Sequence, residues 1–314
     1  MSNRFMCLII FMLSGTLSEN CLISSKNSNM SWVVSIRKKI DPDKHHVICI
    51  GLMISHRDIL IPSKCLSRKN TNDFYTGKEL EAVSGIEEGS CTQTKGGVNA
   101  LTPISPTLLS YVAILQVERF AIEKKFEPKD ELIRKLPRTE PVLQEYWKKY
   151  NDEKVPVEKR VSCEVLIFGA GNTIINRPKR ALLSPLKRKT CRDLLCGVHH
   201  GKKPPPCPET MWSKDTFACL IFQNTRTTCG DFNMGSPIIC DNSVVCGILK
   251  TCVYADFNFG IAVMQMITAE HLDALDNVLR PKSGAHISFL HVGLMTAWRL
   301  TLSFTMTFAS FVYQ

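Results

Sequence analysis

At 314 residues, with 44% apolar and 22% charged side chains, the chain has the length and composition of one or two globular domains, which excludes a disordered or collagenous protein. Its net charge of +10 is uneven: residues 174–203 hold nine Lys or Arg against one acid, Asp193, and the remainder is nearly neutral. That clustering excludes a whole-surface nucleic-acid binder and marks one basic loop, while fourteen cysteines disfavour a reducing compartment.

Residues 5–13 form a short apolar run after Arg4, followed by the small residues Ser14-Gly15-Thr16-Leu17-Ser18. This is the pattern of a secretory signal peptide over residues 1–18. The run is too short to cross a bilayer, which takes roughly 20 apolar residues in a helix. Cleavage removes Cys7 and leaves thirteen cysteines, so at least one is free or pairs between chains. Asn29-Met30-Ser31 is the only Asn-x-Ser/Thr sequon and places a glycan on Asn29. Short runs rich in β-branched residues and bounded by turn residues then recur at 32–36, 47–54, 112–117, 163–168, 236–240 and 244–249, predicting a barrel or sandwich over residues 19–283. Two segments break the pattern. Residues 129–154, dense in both charge signs with Pro137 and Pro141, read as a charged connector within an insert at about 128–156. Residues 268–279 place Leu272, Leu275 and Leu279 at helical spacing behind Thr268 as N-cap, which predicts a terminal helix. Within the basic loop, Arg177-Pro178-Lys179-Arg180 matches a proprotein-convertase site. With Lys187-Arg188-Lys189 it also offers a sulfated glycan or an acidic partner a salt-dependent contact.

The far end is apolar again. Residues 300–313 follow Ser283-Gly284-Ala285, the small residues that precede the tail of a lipid-anchor (GPI) signal, so that Ser283 is the anchor position and 284–314 the tail. The rival is a membrane-spanning helix over 287–312, which would put Arg299 near the bilayer midplane at several kcal/mol.

Four blocks in this chain resemble, in order and spacing, those of the trypsin-like serine proteases. Trp32-Val33-Val34-Ser35-Ile36 is similar to the family's Trp-x-Val-Ser-Leu strand. Cys49-Ile50-Gly51-Leu52-Met53-Ile54 and Ile59-Leu60-Ile61-Pro62-Ser63-Lys64-Cys65 stand where Cys-Gly-Gly-x-Leu-Ile and Val-Leu-Thr-Ala-Ala-His-Cys would. The run from Cys229-Gly230-Asp231 to Met234-Gly235-Ser236-Pro237 looks like an altered copy of the nucleophile loop, and Gly247-Ile248-Leu249 with Phe259-Gly260-Ile261 follow it. The resemblance covers about residues 30–280. It implies an all-β fold of two six-stranded antiparallel β-barrels with a C-terminal helix, and an extracellular disulfide framework. The implied bridges are Cys49 with Cys65, Cys163 with Cys240, Cys191 or Cys196 with Cys219, and Cys229 with Cys246 or Cys252. Cys21, Cys91 and Cys207 have no implied partner.

The same alignment implies that the catalytic machinery is lost. A triad needs a Ser hydroxyl, a His to take its proton and an Asp to orient the His. Lys64 stands where the His belongs, and an ammonium with a pKa near 10.4 accepts no proton at neutral pH. Tyr111 replaces the Asp, and Met234 replaces the Ser with a thioether that has no proton to lose. The interval from Cys229 is one residue longer than in the family, which disturbs the oxyanion hole. No Ile-Val-Gly-Gly activation sequence precedes Trp32, and Asn233 replaces its Asp partner. Thr227 at the base of the specificity pocket and Lys250-Thr251-Cys252 at its rim suggest no retained substrate preference. Rescue would require Ser236 as nucleophile with His45, His46 or His56 as base.

The resulting expectation is a pseudoprotease: a secreted or cell-surface binding or adhesion protein with no cofactor, no nucleic-acid partner, an extracellular protein partner and a membrane attachment through its tail. The alternatives are a divergent peptidase using Ser236 and an extracellular metal-binding module. The latter would use Cys191, Cys196, His199, His200 and Cys207, which fall within 17 residues at the spacing of no common zinc finger.

Overall fold

The Val- and Ile-rich runs become twelve strands among the described residues of a computed structural model. It describes residues 21–24, 30–39, 47–68, 73–86, 91–101, 112–150, 162–167, 179–187, 190–191, 217–222, 229, 233–241, 243–254 and 260–279. The first six strands are β1 (Val33–Lys38), β2 (Val47–Met53), β3 (Asp58–Pro62), β4 (Leu80–Val83), β5 (Thr94–Leu101) and β6 (Val112–Val117). The next six are β7 (Cys163–Ile167), β8 (Lys179–Pro185), β9 (Phe217–Phe222), β10 (Pro237–Cys240), β11 (Val244–Tyr254) and β12 (Gly260–Met266). Each set closes into a barrel, in the order β1-β2-β3-β6-β5-β4 and, with the same succession, β7-β8-β9-β12-β11-β10. Every pairing is antiparallel, and closure leaves neither sheet an open edge. This is the two-barrel, all-β architecture that the resemblance implied.

Branched side chains fill both barrels. In the first, Val34, Ile36, Ile59, Ile61, Leu80 and Leu115 are buried together, each worth about 1.5–3 kcal/mol of transfer energy. Gly51 makes room for them: a Cβ there would lie 3.0 Å from the Ile61 Cγ2 methyl and closer still to Ile59. In the second, Val165, Leu183, Leu220, Ile238, Leu249 and Met264 form the interior.

The charged segment is not the bare connector its composition suggested. It folds into two helices, α1 (Pro128–Lys135) and α2 (Glu140–Tyr150). Pro128 opens α1 and Pro141 stands in the first turn of α2, positions where a missing N–H is harmless, so prolines that read as breakers are starters. Asp130 and Glu131 in the first turn of α1, with Arg134 and Lys135 in the last, complement the helix dipole. Between the charges, Leu132, Leu136, Leu143 and Trp147 are buried, and Leu143 and Trp147 join the core of the second barrel.

The chain divides into two units, residues 1–271 with both barrels and residues 272–314. Helix α3 (Ala269–Leu279) starts in the first, after a reciprocal cap: Thr268 N–H donates to His271 Nδ1 at 3.2 Å, and His271 N–H donates to Thr268 Oγ1 at 3.4 Å. Burial holds the His271 imidazole below its ordinary pKa, which keeps Nδ1 an acceptor, while Glu140 and Glu270 pull the other way.

Among the described residues five disulfides staple the barrels: Cys21–Cys91, Cys49–Cys65, Cys163–Cys240, Cys191–Cys219 and Cys229–Cys252. The inclusion of Cys246 among the bonded cysteines is thereby corrected. Cys246 is the free thiol among the described residues, buried near the start of β11 with its pKa pushed up to about 12 by burial. Cys252 lies about 20 Å farther along an extended strand, past the β11 irregularity at Leu249/Thr251, and takes Cys229 there.

Candidate functional site

Lys64 sits in a 3₁₀ turn, Ser63–Leu66, that begins where β3 ends at Pro62. The Cys49–Cys65 bridge ties this turn to β2, and Lys64 projects into solvent. The turn carrying Met234 is lodged against the same edge of the first barrel. Ile50 N–H donates to Met234 O at 2.8 Å, and Met234 is half-buried against the first core. Gly235 adopts φ +86°, and a Cβ there would collide with Ile50 O and reach 2.9 Å from Pro62 Cδ. Only glycine combines that φ with so close an approach. From the other side Gly235 N–H donates to Leu249 O at 2.7 Å, and Leu249 N–H donates to Ser236 O at 2.8 Å. Lys64 and Met234, which the resemblance aligns with base and nucleophile, are therefore presented at one junction, fixed by backbone bonds to both barrels.

The junction carries positive charge. Lys250 follows Leu249 directly, and its Nζ lies 4.2 Å from the centroid of the Phe217 ring. Burial, and then the charge of Lys64, push the Lys250 amine down to about 8. Neither ammonium is a triad base. Lys64 faces water, and Lys250 rests on an aromatic face, a cation–π contact that favours its charged form.

Ser236, the alternative nucleophile, has its hydroxyl engaged. It is fully buried, and its Oγ makes hydrogen bonds with Leu166 O at 2.8 Å and Asn233 O at 3.0 Å, so the side chain ties β7 to the turn. His56 occupies the turn between β2 and β3, at the Asp58 end of β3, whereas Lys64 follows the Pro62 end, about 13 Å away along the strand. No proton relay spans that distance. Asn233 is half-buried at the start of the Met234 turn.

Tyr111, Thr227, His45 and His46 lie outside the described residues, although β6 begins at Val112, opposite Pro62. The signal segment, Asn29, Ser283 and the 284–314 tail also lie outside them, and no described helix is long and apolar enough to cross a membrane. Of the proposed metal set, Cys191 is oxidised with Cys219, while Cys196, His199, His200 and Cys207 fall outside the described residues. Arg180 lies inside β8, opposite Leu166, with its guanidinium 3.1 Å from Glu164 Oε2. The next residue, Ala181, is buried, so cleavage after Arg180 would require β8 to leave the barrel.

Sequence reasoning missed the Cys21–Cys91 bridge and the burial of Lys250. A signal for the second was present, since Lys250 interrupts an apolar strand of Val, Ile and Leu.

No family model matches the chain, and no curated protein matches it. Among solved structures it is similar to kallikrein-related peptidase 10 in complex with Zn2+, at 16% identity over 81% of this chain and 96% of that one, with a TM-score of 0.47. A second structure of kallikrein-related peptidase 10 matches at 17% identity over 81% and 97%, with a TM-score of 0.46. The two-barrel assignment stands on the strand pairing of the chain itself.

Proposed function

We propose that the chain is a catalytically inactive homologue of the trypsin-like serine proteases that works as a binding or adhesion protein outside the cell. The observation that carries this reading is the junction between the barrels, where an exposed ammonium, Lys64, and a packed thioether, Met234, occupy the places of base and nucleophile. Peptide hydrolysis needs an attacking group with a proton to give and a neighbour to accept it, and this pair supplies neither. The hydroxyl of Ser236, two residues past Met234, is engaged with backbone carbonyls below the surface. Five disulfides favour an oxidising compartment, in keeping with the signal segment at 1–18. The partner is an extracellular protein, or an acidic or sulfated glycan drawn to the basic 177–203 segment, and the 284–314 tail holds the protein at the outer face of the plasma membrane.

Exposing a complex peptide mixture to the secreted protein and reading new termini by mass spectrometry tests this assignment. The expected result is no cleavage above a buffer control. New termini that disappear in Ser236→Ala would make the chain a working peptidase.

A further inference from the structure

Beside the second barrel a cavity of about 360 Å³ opens, bordered by the insert and sharing Phe217 with Lys250 of the barrel junction. Helix α2 contributes Gln144, Trp147 and Lys148; Phe217 comes from β9, Met266 from β12, and Lys187 from the segment after β8. Trp147, Phe217 and Met266 are each more than nine-tenths buried and give the cavity flat, apolar walls. Cys191, bonded to Cys219, lies in the same wall and fixes its shape. Lys148 is exposed and Lys187 half-exposed, so two ammonium groups from different elements border the apolar space. Gln144 adds an amide donor, with Nε2 3.9 Å from Met266 Sδ. Among the described residues that line the cavity, none is acidic.

The volume falls in the range of small-molecule sites, roughly 300–1,000 Å³, which combine aromatic walls with a few polar groups. We propose that this cavity binds an amphipathic anion, a small molecule with a flat apolar body and one carboxylate, sulfate or sulfonate group. The body lies against Trp147 and Phe217 while Lys148 and Lys187 hold the anionic end. The site shares Phe217 with Lys250 of the barrel junction but uses none of Lys64, Met234 and Ser236, so it stands whether or not that junction hydrolyses peptides.

Anilinonaphthalene sulfonate and its uncharged parent, phenylnaphthylamine, share an apolar body and differ in the anion, which makes them the probes of choice. Added to the secreted protein at low salt, the sulfonate should bind at one saturable site, quench tryptophan emission, and bind more tightly than the parent. The double variant Lys148→Glu/Lys187→Glu should weaken sulfonate binding about tenfold and leave the parent unchanged, because it reverses two charges at the border and keeps the apolar walls Trp147, Phe217 and Met266. Gln144→Trp, which fills the space from its border, should abolish both. Cooperative thermal unfolding of each variant establishes that it is folded. The proposal is overturned by the absence of saturable binding to folded protein, by equal affinity for the two probes, by sulfonate affinity indifferent to the charge reversal, or by binding that survives Gln144→Trp.

Discussion

Burial strips water from an ammonium, and at Lys250 it does so beside a second positive charge, Lys64. Both effects disfavour the protonated amine, which is why its pKa falls from 10.5 to about 8. The folded state therefore binds this proton less readily than the unfolded chain. The stability linked to Lys250 is fully present above pH 10.5 and is lost as pH falls through about 8. Competitive acylation followed site by site should give Lys250 a reactivity midpoint near 8, and Lys64→Ala should move it upward while leaving it below 10.5, since desolvation is the larger cause. A midpoint indifferent to Lys64→Ala would separate the two lysines. At this scale the sequence is legible wherever a residue is fixed by its neighbours. Lys64 is placed by Cys65 and Met234 by Pro237, three residues on. Lys250 was not legible as a perturbed group, because its burial depends on Phe217, which is distant in the chain and meets it only across the folded barrel. Cys246 and Cys252 could not be told apart for a related reason: the choice depends on how far along β11 the Cys229 turn arrives.

Helices α1 and α2 show what composition hides at the scale of an element. A segment rich in both charge signs reads as a linker, yet Leu132 with Leu136, and Leu143 with Trp147, stand four residues apart, and all four are buried. The charges cover the outside: Glu131 lies 2.8 Å from Arg134 and 3.8 Å from Lys135, pairs worth a few tenths of a kcal/mol at an exposed surface. Packing of α2 on the second barrel rests instead on Leu143, which is fully buried. Leu143→Ala is expected to destabilise the protein by about 2–5 kcal/mol in chemical unfolding, as for other buried leucines. A loss under about 0.5 kcal/mol, typical of surface sites, would mean that the insert does not pack on the barrel. The strands were easier to read, since β-branched runs with turn residues between them carry their own signal. β4, β5, β8 and β9 are not among those runs; β5, for one, reads Thr-Lys-Gly-Gly-Val-Asn-Ala-Leu and is held by its neighbours rather than by its own side chains.

The same strand succession, taken twice, builds two barrels whose sequences show no repeat. Backbone pairing can be duplicated while every side chain diverges, so the symmetry is visible only in the structure. Between the barrels the scaffold keeps its frame: the Gly235 turn, the bond from Ile50 to Met234, and the Cys49–Cys65 bridge behind Lys64. Under the proposed function this frame serves binding and carries no activated nucleophile. A fluorophosphonate, which forms a covalent bond only with an activated hydroxyl, tests that claim most directly. The secreted, folded protein should remain unlabelled beside an active trypsin-like control, with no adduct on any serine by mass spectrometry. Stoichiometric labelling at Ser236 would contradict the account, because it would require the hydroxyl now bonded to Leu166 O and Asn233 O to be free and activated.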